Sequence, residues 1–157
     1  MDFKWLKERQ RELDNYIGKS KNIDMDKHVL DRNKGLIVEF NEFVNEVPEL
    51  FKYWSNKKMN REKALEEFVD GIHFLISLAN DLGVESYHYT EPVNVEKDRL
   101  VLVINYKIST LLDTRDFKGL MDDYLYLGYS LGFTDEEIEQ FYIDKNEKNY
   151  ERQDNGY

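Results

Sequence analysis

The chain has 157 residues, of which 32 are acidic and 22 basic, for a formal charge of −10, and it contains no cysteine. The negative balance opposes a nucleic-acid backbone as partner, and the missing thiols exclude disulfides, thiolate nucleophiles and cysteine zinc sites. The start lacks a signal peptide's apolar core and no stretch approaches the ~20 apolar residues of a membrane span, so a soluble cytoplasmic protein is expected, as one domain over 1–157.

Only 2 prolines and 8 glycines interrupt the chain, and apolar residues recur at spacings of three and four, the helical period. The expected fold class is therefore all-α, a helical bundle with its site between helices. The first helix is predicted over residues 3–18, with Phe3, Leu6, Leu13 and Ile17 inward and Gly18 as its stop. A polar connector, KSKNIDMDKH, follows. The second helix, 29–46, places Leu30, Leu36, Ile37, Phe40, Phe43 and Val44 on its apolar side; Pro48 opens a short turn ending in Phe51, Tyr53 and Trp54.

Asn60 is the expected N-cap of a third helix over 61–82, whose half GIHFLISLA is apolar nearly all round and must lie inside; Gly83 is placed to end it. Residues 84–97 read as a loop. The segment RLVLVINYKISTLLD is β-branched, yet a single strand would lack a partner, so helix is favoured. Two more helices are predicted near 116–131 and 134–150, the latter opened by a capping box of Thr134 and Glu137. The polar end, 146–157, is expected to be mobile until a ligand orders it.

The chemistry concentrates in acids. Glu39 and Glu42 stand three apart on one helix face, Glu46 extends the stripe, and Glu67 and Asp70 repeat the spacing on the third helix. Taken alone, an ExxE in a chain with 34% charged residues reads as a solvated helix face. Two like-spaced pairs on neighbouring antiparallel helices, set beside Phe40, Phe43 and the apolar run after Asp70, favour a shared site instead. Oxygen ligands of this kind suit Mg²⁺, with Mn²⁺ as substitute, and magnesium that keeps its waters takes further ligands from phosphates. Near the C-terminus Lys145, Asn149 and Arg152 fall at i, i+4 and i+7, donors suited to a phosphate chain. The competing reading is that Lys145 and Lys148 favour the negative end of a helix dipole.

With QRELD in the first helix, VEFNEFVNE leading to FKYWS, DGIHFLISLA, and the closing KNEKNYERQDNGY, the chain resembles the dimeric all-α dUTPases, phage-borne ones included. These form a branch of the all-α nucleotide pyrophosphohydrolases that also holds the MazG-type enzymes. The resemblance covers most of the chain; residues 84–115 carry no motif that matches. It implies a homodimer that hydrolyses dUTP, and often dUDP, to dUMP. By that likeness Glu39, Glu42, Glu67 and Asp70 would bind Mg²⁺ as the catalytic set, and Lys145, Asn149 and Arg152 would contact phosphates or sugar. Gln10 and Asp14 would reach toward the base, and Trp54 and Phe74 would line the base and deoxyribose pocket. Glu39 or Glu42 would orient the attacking water or take its proton. His73 is read as a satisfied core residue. The Phe74 ring could exclude a ribose 2′-hydroxyl and leave it without a hydrogen-bond partner. The competing functions are a MazG-type enzyme for another nucleotide, such as dCTP or a damaged base, and a noncatalytic helical dimer that binds a regulatory protein.

Overall fold

The computed structural model describes residues 1–93 and 95–156, Lys97 by its backbone alone. Asn94 of the expected loop and Tyr157 of the expected tail lie outside the described residues. The elements are α1 (Phe3–Lys21), α2 (Val29–Glu46), α3 (Arg61–Asp81), α4 (Leu100–Thr114), α5 (Phe117–Ser130) and α6 (Asp135–Asp154), with short 3₁₀ turns at Met25–His28, Pro48–Leu50 and Lys97–Arg99. No strand occurs among the described residues, so the β-branched segment is helix α4, as its lack of a pairing partner requires.

Local chemistry sets the ends. The Asn60 side chain accepts from the Lys63 amide, and Thr134 and Glu137 exchange hydrogen bonds in the expected capping box. After α3, Gly83 adopts φ +69° while the Val84 amide bonds the Ala79 carbonyl, a turn that glycine enters without a Cβ clash. Gly18 does not stop α1. The helix continues to Lys21 and closes on Asn22 in the left-handed region, while Gly18 is buried against Met25, where a Cβ would come within 2.9 Å of its Cγ. At the other end, α6 runs to Asp154 and not to 150, so Asn149 and Arg152 are helical.

α3 is the axle of the bundle. Phe68, Ile72, Leu75, Ile76, Leu78 and Ala79 have no exposed surface, and the helix packs against α1, α2, α5 and α6. Burying aromatic and aliphatic side chains of this size contributes roughly 2–3 kcal/mol each. Across the α2–α3 seam the Phe43 and Phe68 rings lie 5.1 Å apart, and Phe68 stacks on Tyr124 of α5 at 4.7 Å. Tyr124 spends its hydroxyl on the Phe68 carbonyl, 2.9 Å away. Leu30 departs from expectation: it is 57% exposed. At 3.6 residues per turn it stands about 240° around the axis from Leu36, off the stripe that Leu36, Phe40, Phe43 and Val44 bury.

The segment after α3 is tied to α5. Asp122 accepts from the Tyr87 hydroxyl, the Thr90 amide and Lys118, so one carboxylate anchors much of the connection into α4.

Candidate active site

α2 and α3 meet in reverse order: Arg32 binds Asp81, Gly35 faces Phe74, and Phe43 rests on Phe68. The pair is therefore antiparallel, and Glu39 meets Asp70 near its middle. Carboxylate oxygens of Glu39, Glu67 and Asp70 lie within 4.8 Å of one another. Glu42 stands more exposed at the edge of this group, near enough that its charge acts on both Glu39 and Glu67. Glu46, one turn further, is not part of the converging set.

Burial beside Phe40 and the α3 core is the main reason these acids bind protons more tightly than free carboxyls do. It pushes the Glu39 carboxyl up from 4.5 to about 7, with repulsion from Asp70, Glu42 and Glu67 adding to it and Lys145 opposing. The same desolvation raises Glu67 and Asp70. A half-buried group of like charges with oxygen donors only fits a hard divalent cation: Mg²⁺ accepts such ligands, and its charge would cancel the repulsion that burial amplifies.

The positive side comes from α6. Lys145 Nζ bonds Asp70 Oδ2 at 2.5 Å and stands 3.9 Å from Glu66 Oε1. Asn149 and Arg152 follow on the same face, the Arg152 guanidinium 3.5 Å from Asn149 Oδ1. All three line a cavity of about 270 Å³ that also touches Asp70 and Phe74. One cavity thus brings the Asp70 carboxylate of α3, a member of the acid cluster, together with the cations of α6.

Its end toward α1 is polar and hydrogen-bonded. Gln10 Nε2 donates to Asp14 Oδ1 at 2.9 Å, and Ser77 Oγ donates to Asp14 Oδ2 at 2.6 Å. Gln10 Oε1 accepts from the Tyr142 hydroxyl and from His73 Nδ1, each at 2.8 Å. Burial pushes the His73 pKa down to about 3, so the ring is neutral; with its proton on Nδ1, the buried Nε2 carries a lone pair that meets no protein donor among the described residues. His73 is thus core, as expected, packed flat on Tyr142 at 3.9 Å, and is also a wall of the cavity. Burial raises the Asp14 carboxyl.

Of the residues expected to form the site, Gln10, Asp14, Asp70, Phe74, Lys145, Asn149 and Arg152 share this cavity, and Glu39 and Glu67 join it through Asp70. Trp54 does not reach it. That ring is 67% exposed in a surface group with Phe51 and Tyr53, the Tyr53 ring 4.9 Å away, because the chain after Pro48 turns outward before α3 begins. Two participants escape a reading of the sequence. Ser77 lies four residues after His73 on the same face of α3, a spacing that could have flagged it. Arg32 gave no local signal: it forms a two-pronged ion pair with Asp81 at 2.6 and 2.8 Å and donates to the Met25 carbonyl at 3.0 Å, fixing the 3₁₀ turn that carries Met25 over the cavity.

Among curated proteins, none matches the chain. A family model for dUTPase, however, matches residues 2–157, nearly every residue that builds these helices and this cavity; with six helices among the described residues in the expected order and paired acids on α2 and α3, the chain belongs to the all-α dimeric dUTPase family.

Proposed function

We propose that this chain hydrolyses dUTP to dUMP and pyrophosphate, with Mg²⁺ as its cation, as a cytoplasmic homodimer. The observation that carries the reading is the meeting of opposite charges: carboxylates of Glu39, Glu67 and Asp70 lie within 4.8 Å of one another, and Asp70 lines one cavity with Lys145, Asn149 and Arg152. An acidic cluster alone would repel a triphosphate, and cations alone would hold it without activating water.

In this reading Glu39, Glu42, Glu67 and Asp70 hold the cation. Bound there, Mg²⁺ supplies charge to the phosphate oxygens and lowers the pKa of water. Glu39 or Glu42 orients the attacking water and takes its proton. Lys145 exchanges Asp70 for a phosphate oxygen when nucleotide binds, and Arg152 neutralises charge that develops on the leaving group. Gln10 and Asp14 face the base, their orientations held by Ser77, His73 and Tyr142. The Phe74 ring borders the sugar.

A second copy fits the outer face of α2 and α4. There Val38, Leu102 and Tyr106 are each more than half exposed, around the mutual hydrogen bonds of Asn41 and Asn105. Two copies that each carry a charge of −10 meet most easily where apolar side chains, and not charges, supply the contact. Sedimentation analysis of the wild type and of Tyr106→Glu tests this part.

The catalytic reading is tested with a nucleotide panel in Mg²⁺: dUTP, dUDP, dTTP, UTP and dCTP. dUTP should be turned over, with dTTP and UTP nearly untouched; a preference for dCTP would replace the substrate assignment. Asp70→Ala should lower kcat by at least about 100-fold while the far-ultraviolet dichroism stays helical. Near-normal turnover of dUTP by that variant would defeat the metal assignment.

A further inference from the structure

α2 carries a glycine in its interior, Gly35, two turns from its start at Val29. Its φ is not positive, so the backbone there does not ask for glycine. Glycine within a helix destabilises it by about 1 kcal/mol relative to alanine. What the position lacks is room: a Cβ on Gly35 would lie 2.6 Å from both Cε1 and Cζ of Phe74 and 3.2 Å from Cδ1. These are contacts that a carbon cannot make without moving the ring. Phe74 borders the cavity, whereas Gly35 stands behind it on α2.

We infer that Gly35 is a specificity-determining positioning residue: by offering no side chain it lets the Phe74 ring recede onto α2, and so sets the width of the cavity beside the sugar. This deepens the proposed function and rests on it. Gly35 touches no substrate itself; it acts through the ring. The helix tolerates a locally unfavourable residue because alanine would drive the aromatic edge toward the ligand. A ring displaced by a methyl's width narrows the space for deoxyribose, and pockets discriminate changes of that size by ten- to 200-fold.

The experiment is a double-mutant cycle on the intact protein with dUTP and Mg²⁺, comparing wild type, Gly35→Ala, Phe74→Leu and the double variant. Gly35→Ala should raise KM for dUTP by about tenfold, with kcat little changed because the acids on α2 and α3 are untouched. In the presence of Phe74→Leu, adding Gly35→Ala should change KM by less than about twofold, since the shorter side chain no longer meets the methyl. Thermal unfolding of each variant separates this from a folding defect: alanine favours the helix, so KM should rise without a matching fall in Tm. An equal KM penalty with and without Phe74→Leu would overturn the inference. So would a Gly35→Ala variant that hydrolyses dUTP like the wild type, or one that unfolds even when combined with Phe74→Leu. A wild type that leaves dUTP intact would instead overturn the proposed function, and this inference with it.

Discussion

Replacing Glu39 with glutamine should make the metal-free protein more stable and the enzyme useless. The Glu39 carboxyl is half-buried among Asp70, Glu67 and Glu42, and these surroundings raise it from 4.5 to about 7. The folded chain therefore binds this proton more tightly than the unfolded chain does. Stability is unaffected below the unfolded value, is lost progressively as pH climbs from 4.5 toward 7, and is lower by a constant amount above that. A shift of this size corresponds to about 3 kcal/mol at full weight; with the side chain half in contact with water, screening reduces it to about 2 kcal/mol. For a chain of this length that is a rise in Tm of roughly 4–8 °C for Glu39→Gln at pH 8, shrinking toward zero near pH 4.5.

The assay is thermal unfolding in a chelating buffer at several pH values, repeated with Mg²⁺. Because a cation binds the ionised carboxylates, Mg²⁺ should raise the wild-type Tm more at pH 8 than at pH 5, and this increment should largely vanish in Glu39→Gln. The argument fails if Glu39→Gln is less stable than wild type at pH 8 without metal, or if its response to Mg²⁺ equals that of the wild type. Either result would mean that the acids do not repel one another enough to need a cation.

Lys145 and Tyr124 separate the roles of charge and scaffold. Lys145→Ala removes the ammonium that neutralises Asp70; kcat/KM for dUTP should fall by about 10- to 100-fold, while calorimetry finds Mg²⁺ binding at least as tight as in the wild type, since no tethered cation competes for the carboxylate. Tyr124→Phe deletes the buried bond to the Phe68 carbonyl and should lower stability by about 1 kcal/mol, read as a fall in Tm, with kcat on dUTP little changed because Tyr124 does not line the cavity.

The sequence disclosed what depends on local periodicity. The bounds of α2 and the capping chemistry of α3 and α6 could be read from side-chain identity because a cap or an apolar stripe acts within a few residues. The convergence of Glu39 with Glu67 and Asp70 was legible for a related reason: two like-spaced acid pairs on consecutive helices leave an antiparallel pair as the simple arrangement. Contacts that depend on the tertiary path were hidden. Arg32 finds Asp81 across 49 residues, and nothing near Arg32 announces it. Gly18 looked like a stop because glycine often is one, whereas here Met25 needs the space. Trp54, expected at the pocket by likeness to the family, stands on the surface of this chain, and no local signal announced the outward path after Pro48.

The misreadings share a cause that also explains the glycines of the site. A glycine or an aromatic ring states a possibility, close approach or a large apolar face, without naming the partner; a carboxylate beside the core states a need. Glu39 and Asp70 could be recognised because a half-buried acid has to be answered by a cation or a proton, and the answer narrows the chemistry. Gly35 could not be recognised until the Phe74 ring was seen against it, because the cost of a helical glycine is small enough for many sites to carry one without purpose. Residues whose isolated state is expensive are thus the ones a sequence exposes, and the shape of the cavity, made from inexpensive choices at Gly35, Ser77 and Met25, is what only the folded chain reveals.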